Sequence, residues 1–157
     1  MTGRVFVIGG PNLGRLGKRQ PEIYGDTSWP ELESLCRGWA ADLDLELEFL
    51  QSDLEGELVR MIHGAGDGAD GLILNAAAYT HTSVAIRDAV AAMDIPVVEI
   101  HLTNPDARES FRRKNLLADV VTAGIRGFGI DGYRLALVGM AALLRAGHAG
   151  DGQINPG

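Results

Sequence analysis

An open parallel α/β sheet with helices on both faces is the fold class this sequence predicts. Three observations predict it. Five short apolar runs recur along the chain, longer amphipathic stretches of helical period separate them, and the spacing suits strand–helix–strand crossovers. Five strands joined this way suggest the flavodoxin-like three-layer sandwich, with a parallel sheet in the order 2-1-3-4-5.

The strand candidates are "RVFVIG" (4–9), "LELEFL" (45–50), "DGLILN" (70–75), "PVVEIH" (96–101) and "DVVTA" (119–123). Helical periodicity covers roughly 29–42, 54–65, 81–93 and 130–146. Two helix starts read as capping boxes, "SWPE" with Ser28 and Glu31, and "SDLE" with Ser52 and Glu55. Pro30 suits a first turn, where its missing N–H costs nothing. A short helical turn is expected near 106–113, with Arg108 and Arg112 on one face. No internal repeat or linker interrupts the pattern. One domain is expected over 1–148, and the Gly/Pro-containing tail 149–157 is expected to be disordered.

Composition narrows the function. The chain has 157 residues, 46% hydrophobic and 22% charged, enough to bury a core and stay soluble. Its formal net charge of −7 argues against nucleic acid and anionic membranes as partners. No apolar run approaches the ~18–20 residues that span a bilayer. The start, "MTGRVFVIGG", enters a strand pattern directly and lacks a signal-peptide layout. Cys36 is the single cysteine, so no intrachain disulfide forms; inside a helical pattern it reads as a small buried hydrophobe. A cytoplasmic protein is the expectation. The four histidines, at 63, 81, 101 and 148, lack metal-ligand spacing, so no metal is expected. No G-x-S-x-G elbow marks a serine hydrolase.

Ligands of this fold bind beyond the carboxyl ends of the strands. Asn12 follows the first strand, Asn75 ends the third, and Glu99 and His101 end the fourth. The loop after the first strand, "GGPNLGRLGKRQPEIYG" (9–25), is glycine-rich, yet it is no phosphate cradle. Arg19 follows Gly17-Lys18 where a P-loop needs Ser or Thr, and Asn12 stands where it needs glycine. Nor does the loop lead at once into a helix; its length is that of a binding loop. It carries Asn12, Arg19 and Tyr24. A free phenol titrates near ~10, and a cation about 4 Å away supplies the order of energy that brings it toward neutrality. An Arg19–Tyr24 pair would therefore make a phenolate base. The alternative is two ordinary loop residues, with Tyr24 packed on the domain.

Alternation puts Glu99 and His101 on one face of their strand. A buried carboxylate needs a partner, and an imidazole beside it is held and favoured as imidazolium. That is the form of a general acid, or of a structural ion pair at a strand end. Thr80, Thr82 or Ser83 can cap the helix after "NAAAYTHTS" (75–83), and His81 reads equally as packing or ligand contact. Arg108, Arg112 and Arg113 suit an anionic or hydroxyl-rich ligand, or a solvated turn. Asp88 suits an exposed surface or a contact with a neighbouring subunit.

The segments "GPNL" (10–13), "LGKRQPEIYG" (16–25), "QSDLEGEL" (51–58), "NAAAYTHTS" (75–83), "VVEIHLTN" (97–104), "ARESFR" (107–112) and "DGYRLAL" (131–137) together resemble the type II 3-dehydroquinate dehydratases. The match runs in order over about 4–145. The resemblance implies dehydration of 3-dehydroquinate to 3-dehydroshikimate, in the shikimate route to aromatic amino acids. It also implies a homododecamer built as four trimers, without cofactor, metal or Schiff base. On the matching positions it implies Tyr24 as base, Arg19 as its activator, and Asn12 with a water on the enolate. It implies His101, held by Glu99, as the acid. Asn75 and the backbone N–H groups of Leu102 and Thr103 would hold the carboxylate. His81 and Arg112 would meet ring hydroxyls, Arg108 would support the loop as a lid, and Asp88 would come from an adjacent subunit.

Gly9, Gly14, Asp53, Thr103 and the run Arg113-Lys114-Asn115 depart from the usual family pattern. They motivate a second reading, a divergent member that binds a related cyclic polyol-acid with little turnover. A third is a flavodoxin-like signalling or FMN-binding module, although a receiver's acidic cluster and late lysine are missing.

Overall fold

The structure, a computed structural model, describes residues 2–18 and 20–150. Five strands form one sheet: β1 (Gly3–Gly9), β2 (Leu45–Gln51), β3 (Gly71–Asn75), β4 (Val97–His101) and β5 (Ala123–Arg126). Every neighbouring pair is parallel, and the order is β2-β1-β3-β4-β5. The helices are α1 (Pro21–Tyr24), α2 (Trp29–Asp42), α3 (Glu55–Gly68), α4 (Val84–Ala91) and α5 (Asp131–Gly150).

Alternation along the strands sorts the core into two halves. Val5, Val7, Ile73, Val98 and Ile100 meet Leu32 and Cys36 of α2 and Leu137 and Met140 of α5. Phe6, Ile8, Leu72 and Leu74 meet Leu58 and Ile62 of α3 and Ile86 and Val90 of α4. Central strands are thus covered on both faces, which is why their sequences are near-continuous apolar runs. Each fully buried aliphatic side chain contributes roughly 1.5–3 kcal/mol. The predicted fold class and strand order are those observed.

Local signals set the element ends, with corrections. Ser28 caps α2 by accepting from the Glu31 N–H at 3.2 Å. The "SDLE" box does not form: α3 starts after Leu54, and Ser52 Oγ instead accepts from the Leu54 N–H and donates to Glu57. Ser83 caps α4, which begins at Val84 rather than 81, because a 3₁₀ turn (Ala77–His81) takes up the preceding residues. The single helical turn expected at 106–113 is two 3₁₀ turns, Pro105–Ala107 and Ser110–Arg113, with Arg108 between them. Arg108 and Arg112 therefore share no helical face. The fifth strand is displaced from 119–123 to Ala123–Arg126. Val120 and Val121 pack on the α3/α4 core, and Thr122 opens the ladder through its bonds with Val97. The real strand is an exposed edge with no apolar alternation to read. Finally, α5 runs through Gly150, past the expected boundary at 148; the tail beyond it, 151–157, lies outside the described residues.

Candidate active site

The carboxyl ends of β1, β3 and β4 open into one cavity of about 90 Å³. Each wall is set by a neighbouring element. Asn12 enters from the loop after β1, where a left-handed backbone (φ 71°) reverses the chain. Its N–H donates to Asp53 Oδ1 at 2.9 Å, and the Gln51 side-chain amide donates to the same oxygen at 3.1 Å. Two N–H donors therefore partner the Asp53 carboxylate. At Gly9 a Cβ would stand 2.4 Å from the Trp29 ring.

Asn75, buried at the end of β3, is oriented by its own turn. Its Oδ1 accepts from the Ala77 N–H at 3.1 Å, which settles the amide orientation, and its Nδ2 donates to the buried Tyr133 hydroxyl at 3.4 Å. Burial pushes the Tyr133 phenol well above its ordinary range, so it stays a neutral partner.

Tyr24, at the end of α1, reaches the same cavity half-buried. Arg108 Nη2 donates to its hydroxyl at 2.9 Å, and the guanidinium lies 5.3 Å from the ring centroid. The same guanidinium reaches Thr103 Oγ1 at 3.3 Å. Arg108 thus ties the loop after β1 to the loop after β4 and sets a cation against the phenol. Arg19, the cation expected there, lies outside the described residues.

His101 projects from the end of β4 into this cavity. Its Nε2 stands 3.4 Å from Glu99 Oε2, as the alternation rule requires, with both side chains largely buried. Neither atom has a hydrogen-bond partner among the described residues. Burial raises the Glu99 pKa, but His101, the Asn115 amide and His81 together outweigh it and hold the carboxyl below its usual range. The Glu99 carboxylate thus faces the imidazole within ion-pair reach.

His81 Nδ1 meets the Lys114 carbonyl at 2.6 Å; a carbonyl only accepts, so Nδ1 carries the proton. Arg112 lines the same cavity and pairs with Glu109. Leu102 and Thr103 complete the wall after β4. A second cavity of about 430 Å³ adjoins the first behind the Glu99–His101 pair. Asp88, exposed on α4, lines neither. Asn115, given no role from the sequence, donates to Glu99 Oε1 at 2.8 Å. No sequence signal pairs two residues on either side of this loop; only the turn from β4 toward β5 brings them together.

The family model for dehydroquinase class II matches residues 3–141. The chain belongs to the class II dehydroquinases. It is 47% identical over 146 residues to a 3-dehydroquinate dehydratase of Jannaschia sp. (strain CCS1), covering 93% of this chain and 99% of that one. It is 51% identical over 142 residues to one of Dinoroseobacter shibae, covering 90% and 95%. A crystal structure of type II dehydroquinase from Propionibacterium acnes superposes with a TM-score of 0.88 at 39% identity, covering 90% of this chain and 98% of that one. As a class II dehydroquinase, the chain is a hydro-lyase of the shikimate route rather than a signalling module.

Proposed function

We propose that this chain dehydrates 3-dehydroquinate to 3-dehydroshikimate by anti elimination through an enolate. The observation that carries the reading is one cavity holding a cation-bound phenol, Tyr24, and an imidazole, His101, backed by a buried carboxylate. Tyr24, with Arg19 as activator, removes the proton next to the C3 ketone. The electron pair becomes the enolate, stabilised by Asn12 and a water. It then closes the new double bond as the C1 hydroxyl leaves with a proton from His101. Each turnover leaves Tyr24 protonated and His101 neutral, so one proton must pass back from phenol to imidazole through solvent.

Asn75 and the N–H groups of Leu102 and Thr103 hold the substrate carboxylate. His81 and Arg112 contact ring hydroxyls, and Arg108 fastens the loop after β1 over the site. The chain assembles as a homododecamer of four trimers, roughly 200 kDa for chains of 16.7 kDa. Exposed Asp88 is contributed to a neighbour's site in each trimer. Light scattering that finds a monomer would leave Asp88 without that role. The enzyme works in the cytoplasm; no described helix is long and apolar enough to cross a membrane.

Purified protein mixed with 3-dehydroquinate should produce the ultraviolet absorbance of a conjugated enone. Folded protein that binds the substrate but yields no enone would favour the divergent, non-turning-over reading.

A further inference from the structure

Asn115 stands where its neighbours determine every atom. The Leu117 N–H donates to its Oδ1 at 2.8 Å, and a backbone N–H can be accepted only by the oxygen of the amide. The amide orientation is thereby settled, and Nδ2 is the atom 2.8 Å from Glu99 Oε1. Since Nδ2 only donates, Oε1 is committed as an acceptor. The other carboxylate oxygen, Oε2, is the one that faces His101, at 3.4 Å. The backbone around Asn115 is itself held on two sides. His81 bonds the Lys114 carbonyl, the Leu116 N–H donates to the Thr80 carbonyl, and Arg87 bonds the Leu116 carbonyl.

We propose that Asn115 is a positioning residue, which holds Glu99 as a carboxylate with Oε2 aimed at His101. It rests on the reading of His101 as the acid. Asn115 touches no reacting atom; its effect passes through Glu99, so it belongs to the chemical step rather than to substrate binding.

The test measures kcat and KM separately for N115A, N115D and E99Q, and for N115A combined with E99Q, with H101A as control. N115D keeps the shape and the acceptor for Leu117 but turns an oxygen toward Glu99, so it separates loss of the donor from loss of the fold. N115A and N115D should each lower kcat by roughly 10- to 100-fold, the scale of one hydrogen bond to a charged group, with KM nearly unchanged. In the E99Q background, N115A should add little further loss, because both act through one carboxylate. Circular dichroism confirms that each variant is folded. Unchanged kcat in folded N115D, or a loss confined to KM, would overturn the proposal. Independent, additive losses of N115A and E99Q would overturn it as well. An active H101A would instead sink the reading of the acid on which it rests.

Discussion

Arg108 shows how much one side chain can be asked to do. Its guanidinium spans the Tyr24 hydroxyl and the Thr103 hydroxyl, which belong to different loops. A planar fork makes both bonds at once, whereas an ammonium is a point charge on a flexible stem. Arg108→Ala should therefore lower kcat/KM by roughly 10- to 100-fold. Arg108→Lys should recover only part of it, as steady-state kinetics on the two variants would show; full recovery by lysine would mean that charge alone matters. Cys36 is a contrasting case. Burial pushes its thiol up to about 12, with Glu33 adding to the effect, so it is a packing group without nucleophilic character. A thiol reagent should label it only on unfolding, with kinetics that follow loss of the circular dichroism signal.

Elements were legible wherever a side chain's own chemistry decided the backbone. The Ser28 cap is one example: the hydroxyl, the N–H it satisfies and Pro30 lie within one turn. Ser28→Ala should cost about 1 kcal/mol of unfolding free energy by denaturant titration. Ser52 looks the same in sequence, but the turn into α3 gives its hydroxyl Glu57 and the Leu54 N–H instead. The Glu99–His101 pair was readable from strand alternation alone. Its Asn115 support was not, because the contact crosses a loop of two 3₁₀ turns whose path no periodicity encodes. β5 is illegible for a related reason: its apolar neighbours Val120 and Val121 spend their surface on the helix layer, not in the sheet. At Gly9 the Trp29 ring fills the space of a side chain. Gly9→Asn should therefore cost roughly 1–3 kcal/mol through overpacking, measured by the same titration.

At the scale of the whole molecule, stability should respond to acid in a defined direction. Glu99, Glu109 and Asp119 are all held below their usual ranges: Glu99 by its net interactions despite burial, Glu109 by Arg112, and Asp119 by Arg87. A depressed carboxyl contributes stability that is present above its unfolded value, near ~4, and lost as pH falls through the folded value. Melting temperature should therefore fall as pH drops below about 4. Glu99→Gln should lose its share of that dependence; an unchanged slope would show that the Glu99 pKa is the same in the folded and unfolded protein.

The proposed division of labour has Tyr24 breaking the C–H bond and His101 protonating the leaving hydroxyl. Exchange of the hydrogen next to the substrate ketone with deuterated solvent, followed by mass spectrometry in folded Tyr24→Phe and His101→Ala, tests it most directly. Exchange without enone formation is expected in His101→Ala, and neither exchange nor enone above the uncatalysed rate in Tyr24→Phe. Exchange in Tyr24→Phe as fast as in the unaltered enzyme would contradict it.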